Sequence, residues 1–144
     1  MRICLIGVAL VMTVGARAGG VLAKPSPKTV ICAQLKNGPH ATYTMQLNRK
    51  RLNGTTWTVF ATGVPCQKAL TAAKVILKAW PQAKIDGDVY TGNGFGCTKE
   101  SDGHGSAGTV GCSYNGPDHG LDNIELMMTG PYTIAQLKTM FYIS

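Results

Sequence analysis

A chain of 144 residues with a formal net charge of +7 has the length of one domain with a modest core, helped by cross-links. The charge is unevenly placed: from Lys24 to Lys84 there are lysines and arginines and no acid, whereas every Asp and Glu lies from Asp86 onward. Such polarity either forms one basic face or is cancelled when the two halves interleave in the fold.

In chain order, Arg2, the apolar run from Ile3 to Val14 and the small residues around Ala16-Arg17-Ala18 have the pattern of an export signal over residues 1–18. Cleavage is expected after Ala18, with a second candidate position after Ala23. The run is shorter than the ~20 residues of a spanning helix, so the mature chain is expected to carry no transmembrane segment. Cys4 leaves with the leader, and Cys32, Cys66, Cys97 and Cys112 remain. An even number of cysteines in an exported chain predicts two disulfides in an oxidising compartment. No two of them have the C-x-x-C spacing of a zinc knuckle, so no metal site is expected.

Residues 19–28, with Pro25 and Pro27, read as a flexible mature N-terminus, and a single secreted domain is expected over 29–144. Thr29 to Leu35 has strand character. From Ala41 to Asn48 the residues alternate, with Ala41, Tyr43, Met45 and Leu47 on one side and Thr42, Thr44, Gln46 and Asn48 on the other, the pattern of a half-buried strand. Thr55 to Thr62 is a further strand, preceded by the turn pair Asn53-Gly54. Those two segments are expected to pair as a hairpin with Arg49-Lys50-Arg51 at its tip. Asn53-Gly54-Thr55 is also a glycosylation sequon in a eukaryotic host.

From Gly63 to Trp80 the period changes to helical. Cys66, Ala69, Leu70, Ala73, Ile76, Leu77 and Trp80 fall on one face and Gln67, Lys68, Thr71, Lys74 and Lys78 elsewhere. Pro65 suits the first turn and Pro81 ends the run. Beyond it, Asp86-Gly87-Asp88 marks a turn, Val89 to Thr91 and Phe95 to Lys99 read as strands, and Ser101 to Gly108 as a long mobile loop leading into Thr109 to Tyr114. Asp122 to Thr129 turns Ile124, Leu126 and Met128 inward. Thr133 and Gln136 match a capping box for a short helix using Ile134, Leu137 and Phe141. No repeat is present. This order predicts an α+β fold, an antiparallel sheet of five or six strands with one central helix on a face and a short C-terminal helix.

Gly63-Val64-Pro65-Cys66-Gln67-Lys68-Ala69 opening a helix, followed by Gly94-Phe95-Gly96-Cys97 and then Cys112, resembles a group of small secreted proteins of actinobacterial type. Their signature is G-V-x-C-x-x-A, G-[FW]-x-C and a final C. The resemblance covers residues 56–129; it implies export, disulfides and the fold, and no activity. Of the three connectivities open to four cysteines, Cys32–Cys66 and Cys97–Cys112 are expected: the second pair joins strands flanking one loop, and the first then ties the N-terminal strand to the helix start.

For catalysis the candidates are few. His40, His104 and His119 are the only histidines, each in or beside a turn, and two of them with a lysine would be needed for a small basic nuclease, the alternative reading. There is no G-x-S-x-G elbow. The glycines from Gly92 to Gly111 lack Walker spacing and read as turns and close packing against the helix. Asp86-Gly87-Asp88, or Glu100 with Asp102, are weak candidates for calcium. No catalytic residue and no cofactor is therefore assigned. The better feature is cationic: Lys36, Arg49, Lys50 and Arg51, with Lys74 and Lys78 one turn apart on the helix, are candidates for contact with a polyanion. That polyanion could be an acidic cell-wall polymer, anionic lipid headgroups or nucleic acid; few exposed aromatics accompany the cations, which argues against sequence-reading of single strands, and nucleic acid is not the expected partner. The expected function is a monomeric, non-enzymatic binding module, secreted or held at the cell envelope, that contacts an anionic cell-wall polymer or an envelope protein.

Overall fold

A computed structural model describes residues 26–114 and 122–144. The leader with both cleavage positions, and His119, lie outside the described residues. The elements run β1 (Thr29–Leu35), β2 (Ala41–Met45), β3 (Lys50–Gly54), β4 (Trp57–Thr62), α1 (Cys66–Ala79), a 3-10 turn at Trp80–Gln82, β5 (Asp88–Gly92), β6 (Phe95–Glu100), β7 (Thr109–Tyr114), β8 (Asn123–Met128) and α2 (Ile134–Met140). The expected α+β architecture is observed: a six-stranded sheet in the order β1-β4-β8-β7-β6-β5, all neighbours antiparallel, and a separate β2-β3 hairpin.

The chain builds the sheet from both edges. β1 and β4 form one edge, α1 carries the chain across to the opposite edge at β5, and β5 to β8 meander back until β8 closes against β4. Period-2 alternation then decides which side is core. Trp57, Val59 and Ala61 oppose Met128, Leu126 and Ile124 in register, and Leu126 and Ile124 in turn oppose Val110 and Cys112. These eight residues are all buried, and α1 lies over their face. Its buried side is Ala69, Ala72, Ala73, Ile76 and Leu77, followed by Trp80 in the 3-10 turn. Trp80 meets Trp57 edge to face at 5.1 Å, a favoured quadrupole arrangement, and the Trp57 indole donates to the Pro39 carbonyl at 2.8 Å.

Both expected disulfides are present. Cys32–Cys66 ties β1 to the first residue of α1 across 34 residues of chain, and Cys97–Cys112 links directly opposed residues of β6 and β7. By loop-closure entropy the two are worth about 4 and about 3 kcal/mol. The capping box is also present: Thr133 Oγ1 accepts from the Gln136 amide at 3.3 Å while the Gln136 side chain accepts from the Thr133 amide at 2.9 Å. From α2, Leu137 is buried and Phe141 packs on Phe60 at 5.4 Å, on the sheet face opposite α1. Ile134, expected inward, is 38% exposed.

Further expectations are corrected. The strand beginning at Ala41 ends at Met45, not Asn48, so Leu47 is exposed; it pairs with Lys50–Gly54, whereas Trp57–Thr62 pairs with β1 and β8. Gly54 therefore ends a strand instead of turning one. Pro65 is the N-cap of α1 and not a residue of its first turn. Gly94, Gly108 and Gly111 make room for strand and hairpin side chains, not for the helix: a Cβ on Gly94 would meet Tyr114, one on Gly108 would meet Tyr43, and one on Gly111 would meet Glu100.

Candidate functional site

The β2-β3 hairpin positions the candidate site. Tyr43, Met45 and Leu52 point into the core, so by alternation Thr44 and its cross-strand partner Arg51 face the other way. The turn between the strands is closed by the Asn48 side chain, which accepts from the Lys50 amide at 3.0 Å, an Asx-type turn. Arg49 takes the left-handed conformation at φ 53°. The next residue, Lys50, is paired with Met45 and points elsewhere, standing over the Tyr132 ring at 5.2 Å. The basic triplet is thus divided between two directions: Arg49 and Arg51 share one side of the hairpin, and Lys50 serves the contact with Tyr132.

Arg49 and Arg51 line a cleft of about 590 Å³ with Thr44, Gln46 and His104. Among the described residues no carboxylate lines it. Two guanidinium forks, an imidazole, a hydroxyl and a carboxamide make a concave surface rich in donors, suited to a carboxylate, sulfate or phosphate. Lys36, just past β1, and Lys74 and Lys78, on the solvent side of α1, are exposed and lie outside that cleft.

His104 reaches the cleft from the segment between β6 and β7, which is pinned and not the loose loop expected. Its anchor is Asp102, 2% exposed. One carboxylate oxygen accepts from the amides of His104 at 2.7 Å and Ser106 at 3.0 Å, the other from the Thr44 amide at 3.0 Å, while the Asp102 carbonyl accepts from the Gln46 side chain at 2.8 Å. Burial alone would push this carboxyl up, but the backbone donors outweigh it and hold it below its ordinary 3.8. Asp102 is therefore engaged as an internal acceptor, both its carboxylate oxygens being taken up by main-chain amides. Among the described residues no three His, Cys, Asp or Glu side chains gather in a metal-binding group.

Two other sites carry charge. On the sheet face away from α1, Glu125 opposes Gly111, and the Glu100 side chain lies over the same glycine, above a polar trough of about 380 Å³ that also holds Thr98 and Ser113. Burial, and then the neighbouring Glu100, pushes the Glu125 carboxyl up; burial, and then Asp86, does the same for Glu100. The acids thus lie opposite the face that bears the exposed lysines of α1. Under α1, buried Lys99 donates to the carbonyls of Trp80 at 3.2 Å and Ala83 at 3.0 Å and stands over the Trp80 ring at 4.0 Å, closing the C-terminal end of the helix. His40 lines a different cleft, beside Lys99 and Trp80, from the one His104 lines. Of the cleft residues, Thr44 and Gln46 were legible only as the polar side of an alternating strand, and His104 only as a histidine in a loop.

No family model, no curated protein and no solved structure matches this chain.

Among the described residues no helix is long and apolar enough to cross a membrane. The site and fold together define a disulfide-bonded α+β domain that presents a cationic, donor-lined cleft.

Proposed function

We propose that this protein is an exported binding module that holds anionic polymers, acidic cell-wall polymers foremost, in the cleft of Arg49, Arg51 and His104. The observation that carries the reading is the convergence of two arginines on one side of a hairpin with a histidine from a distant segment, in a cleft whose described lining holds no acid. Polymer contact through such a cleft draws its affinity from charge neutralisation and counterion release, with the guanidinium forks supplying direction. Export is supported by the leader pattern and by two disulfides that close long segments of chain. For a nuclease of the two-histidine type, the pairing of His40 with His104 has no support, since the two lie in separate clefts.

The test is calorimetric titration of the mature protein with a glycerol-phosphate polymer and with heparin, beside the Arg49→Gln/Arg51→Gln double variant. The reading expects measurable binding that the double variant largely loses at an unchanged melting temperature. Equal binding by the double variant would contradict it.

A further inference from the structure

Three of the five residues that line the cationic cleft are bonded directly to one buried carboxylate residue. Asp102 accepts from the main chain of Thr44 and of His104 and, through its carbonyl, from the side chain of Gln46. Its own amide donates to the Ser106 carbonyl at 2.9 Å, closing the 102–106 segment on itself. The remaining two lining residues, Arg49 and Arg51, sit on the hairpin that these bonds hold in place. Gly103 and Gly105 both have positive φ, 73° and 79°, and nothing lies near where their side chains would be. They serve the turn that wraps the amides around the carboxylate, and no packing of their own fixes them. Asp102 is thus the point where loop and hairpin are joined.

We propose that Asp102 is the positioning residue of the anion cleft: it fixes His104 and Gln46 against the hairpin and so builds the arrangement that Arg49 and Arg51 alone do not make. The proposal rests on the polymer-binding reading above. It has a consequence opposite in sign to that of simple electrostatics. A carboxylate behind a cationic cleft opposes an incoming anion, so charge counting says that removing it strengthens binding. If Asp102 acts by position, removing its charge weakens binding, because the amides of Thr44, His104 and Ser106 lose a charged acceptor and the cleft is no longer preorganised.

The experiment compares wild type, Asp102→Asn and the Arg49→Gln/Arg51→Gln variant in titrations with a glycerol-phosphate polymer, while the sheet amides of Val59 and Leu126 report by hydrogen exchange whether the fold persists. The expected result is binding about tenfold weaker for Asp102→Asn, the scale of one charge-assisted hydrogen bond, with sheet protection retained. In the wild type, the polymer should also slow exchange at the His104 and Ser106 amides, because a ligand that binds only the ordered loop stabilises it. That measurement decides the matter even where Asp102→Asn does not fold. Unchanged exchange at those amides on binding, or Asp102→Asn binding as tightly as wild type or tighter, would overturn the positioning role while leaving the polymer-binding reading in place. A wild type that binds no polymer, with the double variant indistinguishable from it, would overturn both.

Discussion

The main-chain amide of Thr44 donates to the carboxylate of Asp102 at 3.0 Å, across 58 residues of sequence. This bond gives the outer edge of β2 a partner and at the same time fastens the segment that carries His104. Because the amides that converge on Asp102 hold its folded pKa below the ordinary 3.8, the linkage has a definite sign. The bonds contribute their full stability above that ordinary value and lose it as pH falls through the depressed folded value. Exchange at the His104 and Ser106 amides, corrected for intrinsic rates, should stay protected from neutrality down to about pH 4 and open below it. Opening already near pH 6 would show that another group holds the loop.

The glutamate pair over Gly111 has the opposite sign. Glu125 and Glu100 are both raised above their ordinary 4.5, so the folded state retains protons that the unfolded chain has released, and stability is lost as pH rises from that value through the raised ones. Glu125→Gln is expected to raise the melting temperature at pH 7, with the gain shrinking as pH falls toward 4.5 and below. A lower melting temperature for this variant at pH 7 would mean that the carboxylate has a stabilising partner.

Lys99 is buried by its bonds to the Trp80 and Ala83 carbonyls. Lys99→Met keeps the stem and the contact with the Trp80 ring but removes the ammonium donor from both carbonyls, leaving that of Trp80 with only the Ala83 amide. The expected cost is about 1–3 kcal/mol, read as a fall in the denaturant midpoint at unchanged slope.

Gly108 and Gly111 separate two kinds of crowding. A Cβ on Gly108 would meet Tyr43 at its own Cβ, close to the backbone, whereas a Cβ on Gly111 would meet the far end of the flexible Glu100 side chain. Gly108→Ala should therefore cost clearly more than Gly111→Ala in thermal melts, on the order of 1–3 kcal/mol for overpacking that cannot relax. Equal losses would place the hairpin further from β7 than described.

Local signals accounted for much of this fold. The apolar stripe of α1, the capping box of Thr133 and Gln136 and the two cysteine pairings were each legible, because a single period, a fixed spacing or the place of each cysteine on its element points to them. The β2-β3 hairpin was not legible. Lys50–Gly54 carries one buried residue, Leu52, among polar neighbours, so it has no alternation of its own and is held as a strand by its pairing and by that one anchor. Asn53-Gly54, a turn pair by type, was free to end a strand once the turn had been made at Asn48 and Arg49. For the site, the three adjacent cations were legible but not their division, because Arg49 reaches the cleft from a left-handed turn residue and Arg51 from the strand that follows it. The arrival of His104 depends on Asp102 meeting the Thr44 amide, a tertiary contact to which no local pattern points.

The salt dependence of binding reports whether the cleft arginines meet the polymer. If Arg49 and Arg51 meet the polymer, the logarithm of the binding constant for a glycerol-phosphate polymer should fall linearly with the logarithm of salt concentration. The Arg49→Gln/Arg51→Gln variant should lose about two from the steepness of that slope, about one for each lost charge contact, whereas Lys74→Gln/Lys78→Gln should leave it nearly unchanged. A wild type whose binding is absent, or as salt-insensitive as that of the double arginine variant, would contradict the account.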